Sequence, residues 1–119
     1  MRTFVLLFIS AALLLATPSL YNHGKKLYFE KGCNGCHGIS AGGSGQYPAL
    51  AFRRKAFLEY KLKQYRAKHG TTQLSQMMIP FATELSDTQI DALTTFFSQY
   101  KEGSIPAKRD FNIKGDGGS

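Results

Sequence analysis

The chain has 119 residues, enough for one domain and too few for two. Its two cysteines, Cys33 and Cys36, stand too close together for a useful structural disulfide, because the ring they would close restrains almost none of the chain. The formal net charge is +7, and the excess is concentrated between Arg53 and Lys68, where Glu59 is the only acid.

The chain opens with Arg2 and then an apolar run over residues 4–16, "FVLLFISAALLLA". A positive start and a short apolar stretch describe a secretory signal peptide, here residues 1–19. The run is shorter than the roughly 20 residues that span a bilayer as a helix. Cleavage after Ser19 puts Thr17 at the third position back, whereas cleavage after Ala16 puts Leu14 there. An uncleaved membrane anchor and a buried core helix are the alternatives. Export excludes nucleic acid as the partner of the basic stretch.

A first helix is predicted over Asn22–Cys36, with apolar bulk from Leu27, Tyr28 and Phe29 and weak points at Gly24 and Gly32. "GISAGGSGQYP" after it is a loop. A second helix is predicted over Arg54–His69. Phe57, Leu58, Leu62 and Tyr65 recur there at helical spacing, and Gly70 is placed as its C-terminal cap. "TTQLSQMMIP" is expected to hold one short turn before Pro80 ends it. Ser86-Asp87-Thr88-Gln89 is a capping box, and Ile90, Leu93, Phe96, Phe97 and Tyr100 follow at helical spacing. The last helix is therefore predicted over Asp87–Lys101, with Gly103 ending it. Residues 103–119 are polar and glycine-rich and are expected to form a flexible tail. This is an all-α domain over residues 20–102 with three main helices. Its loops are too long for an ordinary bundle of that size, so something other than side chains should fill its centre.

"GCNGCHG" at residues 32–38 admits four chemistries. Zinc needs four ligands, usually in two separated pairs, and His23 and His69 form no second pair; both fit better as exposed polar residues. A redox dithiol wants a βαβ setting, which is absent. A purely structural cysteine pair has little value. Attachment of a c-type haem is the reading the spacing suits. On a helical turn the sulfurs of Cys33 and Cys36 project from one face and can form thioethers with two vinyl groups. His37 then stands over the iron, with its other ring nitrogen needing an acceptor. For a distal ligand the chain offers Met77 or Met78, and the other is core filler. A thioether opposite histidine favours ferrous iron and leaves no open position for substrate, which points to electron transfer.

In "GKKLYFEKGCNGCHG", "YPAL", "MMIPFATELSD" and "IDALTTFFSQY" the chain resembles the class I c-type cytochromes, the small bacterial periplasmic monohaem group and the single domains of its dihaem relatives. The resemblance covers about residues 22–101. It implies the class I cytochrome c fold around one haem c, carried by Cys33 and Cys36 with His37 as proximal ligand. Pro48 would lie against the haem with its carbonyl accepting the His37 N–H. The distal methionine of this group stands seven residues before the leucine that precedes Ser-Asp, and counting back from Leu85 gives Met78. The family packs a glycine and an aromatic of the first helix against aromatics of the last. Gly24 with Tyr28 has the right internal spacing, while Phe29 stands at the more usual distance from the first cysteine. Leu93 and Phe97 are the expected partners. One departure is that Ala51 is followed by Phe52-Arg53, where the family often has Gly-Gln.

Tyr47, Arg53 and Arg54 are candidates to bond or neutralise haem propionates. The basic stretch is either a solvated face or a docking surface for an acidic redox partner, which opposite charge would steer and orient. The function this implies is a soluble periplasmic one-electron carrier, not an enzyme, acting as a monomer or in transient complexes. Membrane contact is expected only if the N-terminal segment stays uncleaved. The alternatives are a haem-bearing subunit of a periplasmic oxidoreductase and a haem enzyme with an open iron site.

Overall fold

The computed structural model describes residues 19–102. The expected signal sequence up to residue 18 and the expected tail from residue 103 lie outside the described residues. Five helices follow in order: α1 (Leu20–Glu30), α2 (Asn34–His37), α3 (Lys55–Arg66), α4 (Gln73–Thr83) and α5 (Asp87–Ser98). Among the described residues the only extended pairing is an isolated antiparallel bridge between Ser44 and Tyr47. None of the described helices is long and apolar enough to cross a membrane. Ser19 is the N-cap of α1, its side chain accepting from the Asn22 N–H at 3.1 Å. A chain cut after Ser19 would lack that cap.

The all-α class holds, but four long helices replace the expected three. The predicted first helix is two. Gly32, at φ +76°, is the stop. The Gly32 N–H bonds the Phe29 carbonyl at 3.2 Å and the Cys33 N–H bonds the Tyr28 carbonyl at 3.1 Å. This is the two-bond cap that a left-handed glycine permits at a helix C-terminus. The chain turns there and restarts as the single turn α2.

The second correction is α4. Pro80 was expected to end a short turn, yet it lies inside an 11-residue helix. Proline in a helix interior costs roughly 3 kcal/mol through its missing N–H and ring crowding. Two things oppose that cost. Thr72 and Ser75 form a reciprocal capping box, with the Ser75 N–H on Thr72 Oγ1 at 3.1 Å and the Thr72 N–H on Ser75 Oγ at 2.8 Å. Beyond the proline, Ala82 is fully buried, and Leu85 just after the helix is buried to all but 6%.

The capping box predicted at Ser86 and Gln89 is present. Helices α3 and α5 end about three residues earlier than predicted, at Arg66 and Ser98.

The core is built where α1 crosses α5. Gly24 permits the crossing, since a Cβ there would stand 1.9 Å from the Ala92 carbonyl oxygen. Tyr28, not Phe29, is the buried aromatic: it has no exposed surface, while Phe29 is 36% exposed. The Tyr28 ring packs 5.6 Å from Phe96 and 5.5 Å from Phe97 between centroids. Phe97 is thus a partner as expected, and Phe96 shares the role.

Helix α3 is pinned to α5 by charge. Lys55 bonds Asp91 and reaches Thr94 Oγ1 at 3.1 Å and Glu59 at 2.8 Å. Burial alone would lower the Lys55 pKa, but its bonds to Asp91 and Glu59 outweigh that and raise it. Arg66 bonds Asp87 at 2.7 Å and the Leu85 carbonyl at 3.1 Å.

Candidate haem site

Cys33, Cys36 and His37 come together because α2 is one turn long. Cys33 is its N-cap, and His37 is its last residue. Gly38 then leaves the helix at φ +89°. Both cysteines are free thiols and half-buried. Burial pushes the Cys33 thiol up to about 11, only partly countered by its backbone hydrogen bond and by Lys31. It is therefore a neutral thiol in an apolar wall.

His37 is 5% exposed. Its Nδ1 stands 2.8 Å from the Pro48 carbonyl oxygen. A carbonyl only accepts, so Nδ1 carries the proton, and in the neutral ring the lone pair is on Nε2. The segment after His37 is tied in three further ways. The Gly43 N–H bonds the His37 carbonyl at 2.8 Å, the Tyr28 hydroxyl donates to the Gly38 carbonyl, and the Leu50 N–H bonds the Ala41 carbonyl at 2.8 Å. Burial, then the neighbouring Cys33 and Tyr100, raise the Tyr28 pKa, so its hydroxyl stays a donor.

These groups face a cavity of about 430 Å³, inside the range of about 300–1,000 Å³ usual for small-molecule sites. Helix α2 contributes Cys36 and His37 beside Cys33, and the loop contributes Tyr47, Pro48 and Arg53. Leu58 and Leu62 of α3, Met77, Met78 and Phe81 of α4, and Leu93 and Phe97 of α5 complete the apolar lining. Met78 is half-buried and Met77 is 47% exposed.

The cavity thus gathers Cys33, Cys36, His37, Tyr47, Pro48, Arg53, Met77 and Met78. Arg54 is not among its walls; it borders a second, shallower hollow with Phe52, Arg53 and Phe57. Arg54 is the N-cap of α3, and the cavity lining on that side begins again only at Phe57. Leu74 and Phe81 also line the cavity and are not among the site residues expected from the sequence, and Lys61 of the basic stretch lines it too. A signal for the first two was present: Leu74, Met77/Met78 and Phe81 recur at helical spacing, but Pro80 hid the helix.

The donor set fits a covalent haem. A buried imidazole offers one lone pair, two thiols stand on its helical turn, and thioethers line the same apolar space. The Cytochrome c family matches residues 21–101.

The chain belongs to the cytochrome c family.

Among its relatives, cytochrome c4 of Thiocapsa roseopersicina is 34% identical over 99 residues, which is 74% of this chain and 49% of that protein. Cytochrome c-554(547) of Halothiobacillus neapolitanus is 29% identical over 86 residues, covering 66% of this chain and 93% of the relative. Reduced recombinant cytochrome c4 from Pseudomonas stutzeri shares the fold with a TM-score of 0.60 and 26% identity, over 70% of this chain and 49% of that one. The chain spans about half the length of the cytochromes c4 it matches. Its cytochrome c domain carries one covalently bound haem c, a cofactor suited to electron transfer.

Proposed function

We propose that this protein is a periplasmic one-electron carrier in which Cys33 and Cys36 hold the haem by thioether bonds and His37 and Met78 are the axial ligands of its iron. The observation that carries the proposal is the His37 imidazole, buried at the cavity wall with Nδ1 engaged by Pro48 and Nε2 left to bind metal. The bound haem supplies a single reversible electron through its ferric and ferrous states.

The protein's own residues do the rest. Pro48 fixes the tautomer and ring plane of His37. Leu58, Leu62, Leu93 and Phe97 keep water from the cofactor. Met78, half-buried in α4, is the better placed of the two thioethers, since Met77 is more open to solvent. Tyr47 and Arg53 line the same cavity, which supports them as the groups that bond or neutralise the propionates. The apolar run over residues 4–16 supports export to the periplasm.

Partners of this carrier would present acidic faces. Lys61, Lys63 and Lys68 are exposed along and beyond α3, and none forms an ion pair among the described residues. Lys55 and Arg66, by contrast, are spent on holding α3 to α5.

The test is haem retention in acidified organic solvent after periplasmic extraction. The parent keeps its haem, and a Cys33→Ala, Cys36→Ala double variant releases all of it. Retention by the double variant would remove the attachment claim, and recovery of the parent only from the cytoplasm would remove the location.

A further inference from the structure

Phe52 is held in a conformation its side chain disfavours, and that side chain is left in water. Its φ is +66°, in the left-handed region that glycine enters freely and residues with a Cβ avoid. Its side chain is one of the most exposed apolar groups described, at 64%. Core packing does not account for a phenylalanine here. Glycine would meet the backbone demand with less strain and less apolar surface.

The ring is nevertheless fixed in place. The Phe52 N–H bonds the Phe97 carbonyl at 2.8 Å. Its ring stands edge-on to Tyr100, with centroids 5.5 Å apart and planes at 87°. Beside it lies the hollow of about 340 Å³ bordered by Phe52, Arg53, Arg54 and Phe57. Arg53 is anchored by its Nε–H on the Ala49 carbonyl at 2.8 Å. Among the described residues no carboxylate borders the hollow. Among the described residues neither arginine forms an ion pair. Arg53 and Phe57 also line the haem cavity, so the two spaces share a wall.

We propose that Phe52 and the adjoining hollow are the docking anchor for an acidic protein partner, which seats a carboxylate on Arg54 and covers Phe52 with an apolar flank. Aromatic and arginine side chains dominate the energetics of protein interfaces. A ring already ordered before contact loses little conformational freedom on binding. A second copy of the chain suits the hollow poorly, because two copies would bring arginines against arginines. The anchor rests on the reading of the chain as an electron carrier, and it differs from the lysines of α3 in range. Lys61, Lys63 and Lys68 steer from a distance and fade with salt, whereas an apolar contact at Phe52 does not.

The experiment measures electron transfer to the ferric holoprotein from a chemically reduced, acidic plant-type ferredoxin by stopped flow, at low and at high salt. Dithionite serves as a small reductant that needs no docking. Phe52→Gly is expected to lower the second-order rate constant with ferredoxin about tenfold at both salt concentrations. Arg54→Gln is expected to lower it about threefold, mainly at low salt. Dithionite reduction stays unchanged in both, and Phe52→Gly melts no lower than the parent. A Phe52→Gly rate within twofold of the parent overturns the anchor and leaves the carrier intact. Equal slowing with dithionite also overturns it, since the ring then acts on the haem. So does a parent that accepts electrons from dithionite and not from ferredoxin. A parent reduced by neither reagent overturns the carrier reading and the anchor together. A concentration-dependent dimer in sedimentation that Phe52→Gly abolishes would put a second copy in the partner's place.

Discussion

The α1–α5 crossing and the α3–α4 side of the molecule are built on opposite terms. At the crossing every contact is protein on protein. Tyr28, Ile90, Ala92 and Phe96 have no exposed surface, and Gly24 lets the backbones meet. On the other side the apolar residues stand open. Phe57, Leu74, Met77 and Phe81 are 39–48% exposed and all line the cavity. A chain this small buries too little surface to fill two such regions by itself. The crossing is a core made of side chains, and the α3–α4 side is half a core, which the haem completes on the proposed assignment.

Loss of the haem should break the comparison open. In the Cys33→Ala, Cys36→Ala variant, amides of α3 and α4 should lose protection from hydrogen exchange by about a hundredfold more than those of α1 and α5. Equal loss along the chain would mean that the two regions fold as one unit.

Gly24→Ala strikes the other region. Its Cβ would meet the Ala92 carbonyl at 1.9 Å, a backbone atom that can yield only if the helices separate. Overpacking of this kind costs about 3 kcal/mol, read as a lower midpoint in denaturant. The absorption of the haem iron should change less than the stability, because α1 lines none of the cavity and α5 reaches it through Leu93 and Phe97 alone.

Met78→Ala sharpens the assignment within the cavity. It should leave the haem attached, admit cyanide to the iron, and lower the reduction potential by on the order of 0.1 V, within the span of about 0.8 V that axial ligation sets. Met77→Ala should do none of these. The reverse outcome would move the ligand to Met77, one residue earlier.

The smallest effect concerns pH. The hydrogen bond and charge of Arg66 hold the Asp87 carboxyl below the usual carboxylate range. A lowered folded pKa stabilises the fold above the unfolded value of about 3.9, and that contribution is lost as pH falls through the folded value. Asp87→Asn should therefore lower stability slightly at neutral pH, and the two proteins should converge in acid, which flattens the acid limb of the variant's stability curve; acid titrations of both proteins would show it.

Much of this was legible in the residues. The spacing of Cys33, Cys36 and His37 is a local property, and so are the capping box at Ser86 and the period of α5. Each depends only on neighbours in the chain, and each stands where it was expected. Even the need for a non-protein centre followed from loops too long for the helices between them. The count to Leu85 that the family resemblance implies points to Met78, and α4 brings both Met77 and Met78 to the cavity wall.

What the sequence left open was decided by packing between distant segments. Tyr28 and Phe29 are adjacent and chemically alike, and only the direction in which α1 meets Ala92 and Phe96 buries one and exposes the other. Gly32 read as a flaw in a long helix; in the fold it is the left-handed stop that sets α2 apart, so that its single turn carries the two thiols and the imidazole. Pro80 is a helix breaker by its own chemistry, yet the cap at Thr72 and the burial of Ala82 and Leu85 carry α4 past it. Arg53 and Arg54 are consecutive, and the turn into α3 sends one to the cavity and the other only to the hollow beyond. Local chemistry determined which groups could hold a haem; the energy of burying surfaces far apart in sequence decided which of them face it.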